Sequence, residues 1–179
     1  MYYTTTYDSP LGLLTFAADD ENLIGLWIEG QKYHGAALLE EMLEKKDLPI
    51  FDATKKWLER YFAGKNPLPN EIPLAPAGSA FRQDVWEMLL EIPYGNLTTY
   101  GEIGRKVAQK MNRESMSAQA IGGAVGHNPI SIIIPCHRVV GRDGSLTGYA
   151  GGIDIKTKLL EIEGVLMEGL FIPKKGTAL

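Results

Sequence analysis

Cysteine is nearly missing from this chain: one of its 179 residues, Cys136, carries a thiol, and only three are histidine. A lone thiol cannot close an internal disulfide, and so few soft ligands leave no basis for a cysteine-rich zinc site or a structural metal. No apolar run is long enough to span a bilayer, and Met1 to Thr6 lacks the charged start and apolar core of a signal peptide, so a reducing cytoplasm is the expected setting. Net positive charge is missing too. The formal charge is −4, which by itself argues weakly against nucleic acid. That average conceals a gradient: residues 1–78 hold 7 Lys/Arg against 12 Asp/Glu, residues 79–179 hold 11 against 10, and the segment 95–142 holds 6 against 2. With 45% hydrophobic residues the chain can bury a substantial core, as one large domain or two small ones.

The first part of the chain reads as a small sheet with helices. Tyr2–Tyr7, Leu13–Ala18 and Leu23–Ile28 are strand-like runs separated by the turn chemistry of Ser9-Pro10 and Asp19-Asp20-Glu21-Asn22. The three consecutive acids read as a solvated turn, since a metal site needs further oxygens at defined spacing. Leu38, Leu39, Met42 and Leu43 give residues 35–46 the apolar face of a helix, and Asp52 is placed to cap a second one carrying Trp57, Leu58, Tyr61 and Phe62. From Gly64 to Gly78, Pro67, Pro69, Pro73 and Pro76 mark an extended linker, which sets the expected domains at 1–75 and 76–179.

Beyond the linker, Ser79 caps a helix with Phe81, Val85, Met88, Leu89 and Ile92 on one face. Thr99 with Glu102 forms a capping box that places Tyr100 in a first turn. Ser117 caps a further helix, AQAIGGAVG, made almost wholly of small residues. Two short helices on a tight connector in the most basic segment fit a helix-turn-helix. On spacing alone the favoured reading is a pair in which Ala118, Ala120, Gly122 and Gly123 permit tight packing, since helix pairs are far commoner than DNA readers. Gly148-Tyr149-Ala150-Gly151-Gly152 is a glycine-rich loop without the spacing of a phosphate cradle; it suits close backbone approach to a flat ligand. Asp154 is placed to cap a last helix with Ile155, Leu159 and Ile162 inward. Its final turn carries Glu163, at the wrong end of the helix dipole for a carboxylate, so Glu163 is either solvated or partnered by a cation or a hydrogen-bond donor. Val165–Ile172 reads as a short strand.

The most informative stretch is NPISIIIPCHRVV, residues 128–140. Ile130–Ile134 is almost wholly apolar and bounded by Pro129 and Pro135, which favours a buried, extended segment that delivers Cys136, His137 and Arg138 from its end. An unpaired cysteine is commonly a small core hydrophobe. A neighbouring His and Arg supply part of the electropositive setting that reactivity needs.

Tyr94-Gly95 through Tyr100-Gly101, then GGAVGHNPISIIIPCHRVVGRDG, GYAGG and KLLEIEG, resemble one family closely: the O6-alkylguanine-DNA alkyltransferases, or methylated-DNA–protein-cysteine methyltransferases. The resemblance covers residues 79–164, and residues 1–78 match in general character as that family's variable domain. It implies an α/β protein with a small sheet-and-helix N-terminal domain and a mostly helical C-terminal domain carrying a helix-turn-helix. It also implies single-turnover transfer of the alkyl group from O6-alkylguanine in double-stranded DNA, with O4-alkylthymine left open, to Cys136 as nucleophile. His137 would act through a bridging water, oriented by Glu163, with a lowered thiol pKa as the result. Asn128 would hold the turn beside the site. Tyr100 would protonate the guanine at N3 and crowd the phosphate so that the nucleotide flips. The carbonyls of Cys136 and Val139 would read the exocyclic amine, and Tyr149, Ala150 and Gly151 would line the base pocket. Gln119, Ala120, Gly122 and Gly123 would enter the minor groove, largely without sequence preference. The resemblance implies no cofactor, no metal and a monomer.

Three positions depart from the family pattern. Gln119 stands where an arginine usually fills the gap left by the flipped base, Ala150 where serine is common, and Ser131 where some relatives have a proline that packs against bulky alkyl groups. The zinc site of some relatives is missing. Two rival functions are a damage-sensing relative, which has tryptophan in place of the cysteine and is therefore disfavoured, and a cysteine hydrolase using Cys136 and His137, which would turn over repeatedly.

Overall fold

The computed structural model describes residues 1–35 and 41–174, which divide into two compact units. The first comprises Met1–Ala77 together with Pro129–Ile133; the second comprises Gly78–Asn128 and Ile134–Leu179.

In the first unit, β1 (Tyr2–Ser9) and β2 (Gly12–Ala18) form an antiparallel hairpin, and β3 (Leu23–Ile28) continues the meander. Aromatic and β-branched residues suit β1 to a pleated surface. The hairpin closes over Pro10-Leu11 because Gly12 accepts a φ of +98°, and the Ser9 hydroxyl donates to the Gly12 carbonyl at 2.7 Å. Between β2 and β3, the Asp19 carboxylate accepts the Glu21 and Asn22 amides at 2.8 and 2.6 Å, so the acidic run is a self-capped turn, as expected. Strand β4 (Met42–Glu44) adds parallel to β1, giving the order β3-β2-β1-β4. A helix was expected through Met42 and Leu43. Those two residues instead pair with β1, because satisfying an open sheet edge outweighs a short helical pattern. Residues 36–40 of that expected helix lie outside the described residues.

Helix α1 (Pro49–Phe62) buries Ile50, Phe51, Trp57, Leu58 and Tyr61, and Phe51 meets Phe16 of β2 at 6.1 Å between ring centroids. It starts earlier than Asp52. Leu48 is the cap residue and Pro49 opens the helix, where a missing N–H costs nothing; Asp52 lies in the first turn, at the favourable end of the dipole. The proline-rich segment is docked rather than loose. The Leu23 amide donates to the Pro73 carbonyl, and Ala75 donates back to Leu23, each at 2.9 Å. Farther along the same strand, Leu26 makes the equivalent pair of bonds with Pro129 and Ser131. The edge of β3 is thereby covered, and the residues leading to Cys136 are anchored to it.

Ile130–Ile134 is buried as expected but is not extended throughout. Ile130 bridges to β3, after which Ile132 takes φ +73° and the Ile133 amide donates to the Ser131 carbonyl at 2.9 Å across a three-residue turn. A β-branched residue at positive φ costs on the order of 1–3 kcal/mol, which its 1% exposure and the surrounding packing sustain.

The second unit is mostly helical: α2 (Ala80–Leu90), α3 (Tyr100–Lys110), α4 (Ala118–Gly126) and α5 (Ile153–Ile162), with a two-residue parallel pair, β5 (Thr98–Thr99) with β6 (Val139–Val140). Ser79, Thr99 and Ser117 cap the first three helices as expected, each accepting a backbone amide three residues on, but the Glu102 carboxylate turns to Arg105 rather than closing the capping box. The Trp86 indole of α2 donates to the Ala124 carbonyl of α4 at 2.9 Å, tying the helices together through a fully buried contact. Helix α5 begins one residue before Asp154, after Gly152 at φ +94°, and its buried face is Lys156, Leu159 and Leu160 rather than the stripe through Ile155. Val165–Ile172 is not a strand. Gly169 at φ +80° interrupts it, and Phe171 makes only an isolated bridge to Ser145.

Candidate active site

The last turn of α4 delivers Asn128, 4% exposed, whose side-chain amide donates to the Ile134 carbonyl at 2.8 Å and to the Cys136 sulfur at 3.2 Å. One amide thus fixes the turn and the thiol together. Across Pro135 the Cys136 amide donates to Ile134 at 2.8 Å, and Cys136–Arg138 coil into a single 3-10 turn. Pro135, at φ −84° and ψ 62°, closes this tight turn at once.

Glu163, at the C-terminal end of α5, gathers the surroundings of this turn. Its carboxylate receives His137 Nε2 at 2.8 Å, Arg138 Nη2 at 2.7 Å and Arg138 Nε at 3.0 Å, and the Gly95 amide at 3.3 Å. Of the two settings open to Glu163 from the sequence, it takes the partnered one. Burial alone pushes its carboxyl up, but hydrogen bonds from His137 and Arg138 outweigh that and hold it down to about 2. Arg138 offsets the unfavourable end of the helix dipole, and its remaining reach goes to the Ile92 carbonyl at 2.5 Å and the face of Tyr94 at 5.7 Å.

Burial holds the His137 imidazole below its ordinary pKa, against the Glu163 bond that favours its cation. Arg138 is permanently charged and suffices to keep Glu163 ionised, so the pair rests as carboxylate and neutral imidazole. With Nε2–H donated to the carboxylate, Nδ1 carries the basic lone pair. Burial also pushes the Cys136 thiol up, only partly opposed by the Asn128 amide and the charge of Lys156. The lowered thiol pKa expected from the sequence is therefore not found: the resting group is a thiol.

Tyr100 opens α3 and donates its hydroxyl to the Thr147 carbonyl at 2.7 Å. Burial raises its pKa well above the usual phenol value. Gly148 adjoins it at φ +75°, where a β-carbon would stand 2.3 Å from the Tyr100 hydroxyl oxygen, so only glycine fits. Tyr149, 1% exposed, meets the His137 ring edge-to-face at 6.4 Å, and Ala150 and Gly151 follow in the half-buried loop. Two site residues were missed in the sequence. Arg138 was read only as a nearby positive charge, and Lys156 was not singled out, although a lysine on an otherwise buried helix face is the signal that finds it. The Lys156 ammonium donates to the Val139 carbonyl at 2.5 Å and the Thr147 carbonyl at 2.7 Å.

Outside this buried cluster, α4 presents Ala118, Gln119, Ala120 and Gly123 to solvent, with Gly122 half-buried. A β-carbon at Gly122 or Gly123 would touch nothing within 4 Å. The small residues are therefore not there for tight packing within the chain. An open cleft of about 300 Å³ between α3 and α4 is lined by Tyr100, Gly104, Arg105, Met116, Ala118 and Ile121, at the N-terminal ends of both helices. The local positive charge is partly spent: Arg105 pairs with Glu102 at 2.5 Å, Lys106 with Glu91 at 3.7 Å and Lys110 with Asp84 at 2.8 Å. Among the described residues no group of His, Cys, Asp and Glu is arranged to hold a metal ion.

Because Glu163 has a folded pKa near 2 against 4.5 unfolded, its stabilisation is present above about pH 4.5 and lost as pH falls toward about 2. The shift corresponds to roughly 3 kcal/mol. Urea unfolding across that range is expected to show this loss in the native protein and a flatter acid profile, from a lower starting stability, in Glu163→Gln. Parallel profiles would show that the carboxylate is not held ionised by its partners.

Residues 80–165 match the family described as "6-O-methylguanine DNA methyltransferase, DNA binding domain", and residues 1–76 match its "ribonuclease-like domain". The chain is 41% identical over 163 residues to the methylated-DNA–protein-cysteine methyltransferase of Haemophilus influenzae, covering 91% of this chain and 87% of that protein. It is 40% identical over 166 residues to the Methanosarcina acetivorans protein of the same name, covering 92% and 99%. The crystal structure of Mycobacterium tuberculosis OGT in complex with DNA matches with a TM-score of 0.78 at 39% identity, over 90% of this chain and 92% of that one. Among the described residues no helix is long and apolar enough to cross a membrane. With matches over both halves and relatives at this identity over nine-tenths of its length, the chain belongs to the 6-O-methylguanine DNA methyltransferase family.

Proposed function

We propose that this protein repairs alkylated DNA by moving the alkyl group of O6-alkylguanine onto the sulfur of Cys136, irreversibly and once per molecule. The observation that carries the reading is the thiol itself: the sole cysteine, buried, held by Asn128 at 3.2 Å, and followed by a histidine bonded to Glu163. Neutral His137 takes the thiol proton through a bridging water, as the resemblance implies, and the thiolate displaces guanine from the alkyl carbon. The thioether formed has no ionisable proton and is a poor leaving group, so the molecule is consumed. Tyr100 supplies the proton that guanine N3 takes as the base leaves. The Cys136 and Val139 carbonyls receive the exocyclic amine; the Val139 oxygen keeps a second lone pair beyond the one used by Lys156. Tyr149, Ala150 and Gly151 wall the pocket.

Guanine O6 is stacked inside duplex DNA, so the nucleotide must flip out. The exposed small-residue face of α4 suits close approach to the minor groove, and the N-terminal ends of α3 and α4 at the adjoining cleft offer amides to phosphate. Contacts of this kind read no sequence, and with Arg105, Lys106 and Lys110 already paired the salt dependence is modest. Gln119, exposed on α4, enters the stack in place of the flipped base. The protein acts as a monomer, and its lone free thiol suits the cytoplasm.

Incubation with a duplex holding one O6-methylguanine is expected to add one methylene to the protein mass, on the peptide containing Cys136, in a one-to-one ratio. Repeated turnover, or label on another residue, would instead support a hydrolase or a different nucleophile.

At position 119 the rates on duplex and on free alkylated base separate flipping from chemistry. Gln119→Arg is expected to tighten duplex binding by ~1 kcal/mol and steepen its salt dependence by about one unit of slope. Gln119→Ala is expected to slow duplex repair while leaving free-base reaction nearly unchanged. Equal duplex-to-base ratios in all three proteins would remove this residue from the gap.

A further inference from the structure

Lys156 sits where a cation is costly. It is 0% exposed, it lies in the first turn of α5 where the helix dipole repels positive charge, and its ammonium meets two backbone carbonyls, with no carboxylate in ion-pair distance among the described residues. If tying Val139 to Thr147 were its whole task, a neutral amide would donate two hydrogen bonds without burying a charge. A charged side chain kept in such a place points to a use for the charge.

The groups around it show what that use is. The Thr147 carbonyl that accepts from Lys156 at 2.7 Å also accepts from the Tyr100 hydroxyl at 2.7 Å, and the ammonium lies 5.9 Å from the centre of the Tyr100 ring. Cys136 and His137 of the 3-10 turn feel its charge, and Tyr100 of α3 is the titratable group whose ring the ammonium overlies. Burial lowers the lysine to about 8, against the opposing pull of Cys136, so it remains mostly charged at neutral pH. Tyr100, by contrast, is made a poorer proton donor by its burial. A phenolate left behind in that setting needs a counter-charge.

We propose that Lys156 is a positioning residue for the leaving-group half of the reaction: pinned by the Val139 and Thr147 carbonyls, its ammonium orients Tyr100 through their shared oxygen and stabilises the phenolate formed as Tyr100 gives its proton to guanine. This rests on the assignment of Tyr100 as proton donor above. The step balances. The sulfur–carbon bond forms as the carbon–O6 bond breaks, the electron pair goes to the base, and the Tyr100 proton goes to N3. The thiol proton leaves through His137 and water while the phenolate regains one from solvent, so thiol and O6-methylguanine become thioether and guanine. Lys156 keeps its protons throughout.

Two reactions of the same sulfur separate this role from a structural one. Methyl transfer from a duplex containing one O6-methylguanine needs the leaving base protonated; alkylation of Cys136 by iodoacetamide does not. Lys156→Met is expected to slow methyl transfer at least about tenfold while slowing iodoacetamide less than about threefold, with Lys156→Arg restoring most of the transfer. Lys156→Gln, which keeps two donors, carries the same comparison should the methionine variant fail to fold. Added to Tyr100→Phe, Lys156→Met is expected to cost nothing further. In the native protein the ratio of transfer to iodoacetamide rate is expected to fall as pH rises through about 8, and to be flat in Lys156→Met. Equal losses in the two reactions, or additive losses in the double variant, would overturn the proposal. If Tyr100→Phe is slow and the Lys156 variants are not, the proposal alone falls. If Tyr100→Phe transfers at the native rate, the proton-donor assignment falls and takes the proposal with it.

Discussion

One buried carboxylate organises the site. Glu163 is 6% exposed at the wrong end of a helix, and it is tolerable there only because Arg138 grips it with two nitrogens while His137 and the Gly95 amide occupy the rest of its lone pairs. Removing Arg138 would leave the carboxylate's charge uncompensated in a poorly solvated place. Keeping them all sets the His137 tautomer and ties the 3-10 turn carrying the thiol to the end of α5, while burial holds the imidazole neutral. A nucleophilic site can be built this way, with a permanently charged arginine in the role of fixed counter-ion.

The thiol is set by a second, independent constraint. Asn128 spends both hydrogens of its amide on the Ile134 carbonyl and the Cys136 sulfur, and Ile132 at positive φ together with the turn at Pro135 folds the chain sharply enough to bring them in reach. Strain in the run before the cysteine buys a fixed sulfur. Burial then keeps that sulfur protonated, which suits a protein that can react only once: an ionised thiol would be consumed by any passing electrophile. In the proposed reaction the nucleophile is released as the thiol proton passes through water to the neutral His137 imidazole.

What could be read from the sequence was local. The caps at Ser79, Thr99 and Ser117 depend on residues three apart and form as written, and the Pro-Cys-His-Arg string announced the thiol and its histidine. What could not be read depended on partners distant in the chain. Met42 and Leu43 carry a helical pattern but meet an open strand edge 40 residues earlier in sequence order, as Tyr2 pairs with Met42. An apolar run such as Ile130–Ile134 reports burial and nothing about φ, so the turn at Ile132 was invisible. Lys156 shifts the buried face of α5 by one residue from the apolar stripe, because its partners are carbonyls 17 and 9 residues away that no side-chain pattern reveals. The small residues of α4 were ambiguous in sequence between packing and groove entry, and only their exposure speaks against packing within the chain.

The claim on which the rest stands is that Glu163, acting through His137, makes the Cys136 thiol reactive. The direct measurement is the single-turnover rate of methyl transfer from a duplex containing one O6-methylguanine across pH, for the native protein and for Glu163→Gln, alongside binding to undamaged duplex. Disabling a positioned general base of this kind costs on the order of a hundredfold. The account predicts a slowing of that size with an altered pH profile and nearly native binding. Superimposable rate profiles would contradict it and reduce Glu163 to a structural tie for Arg138.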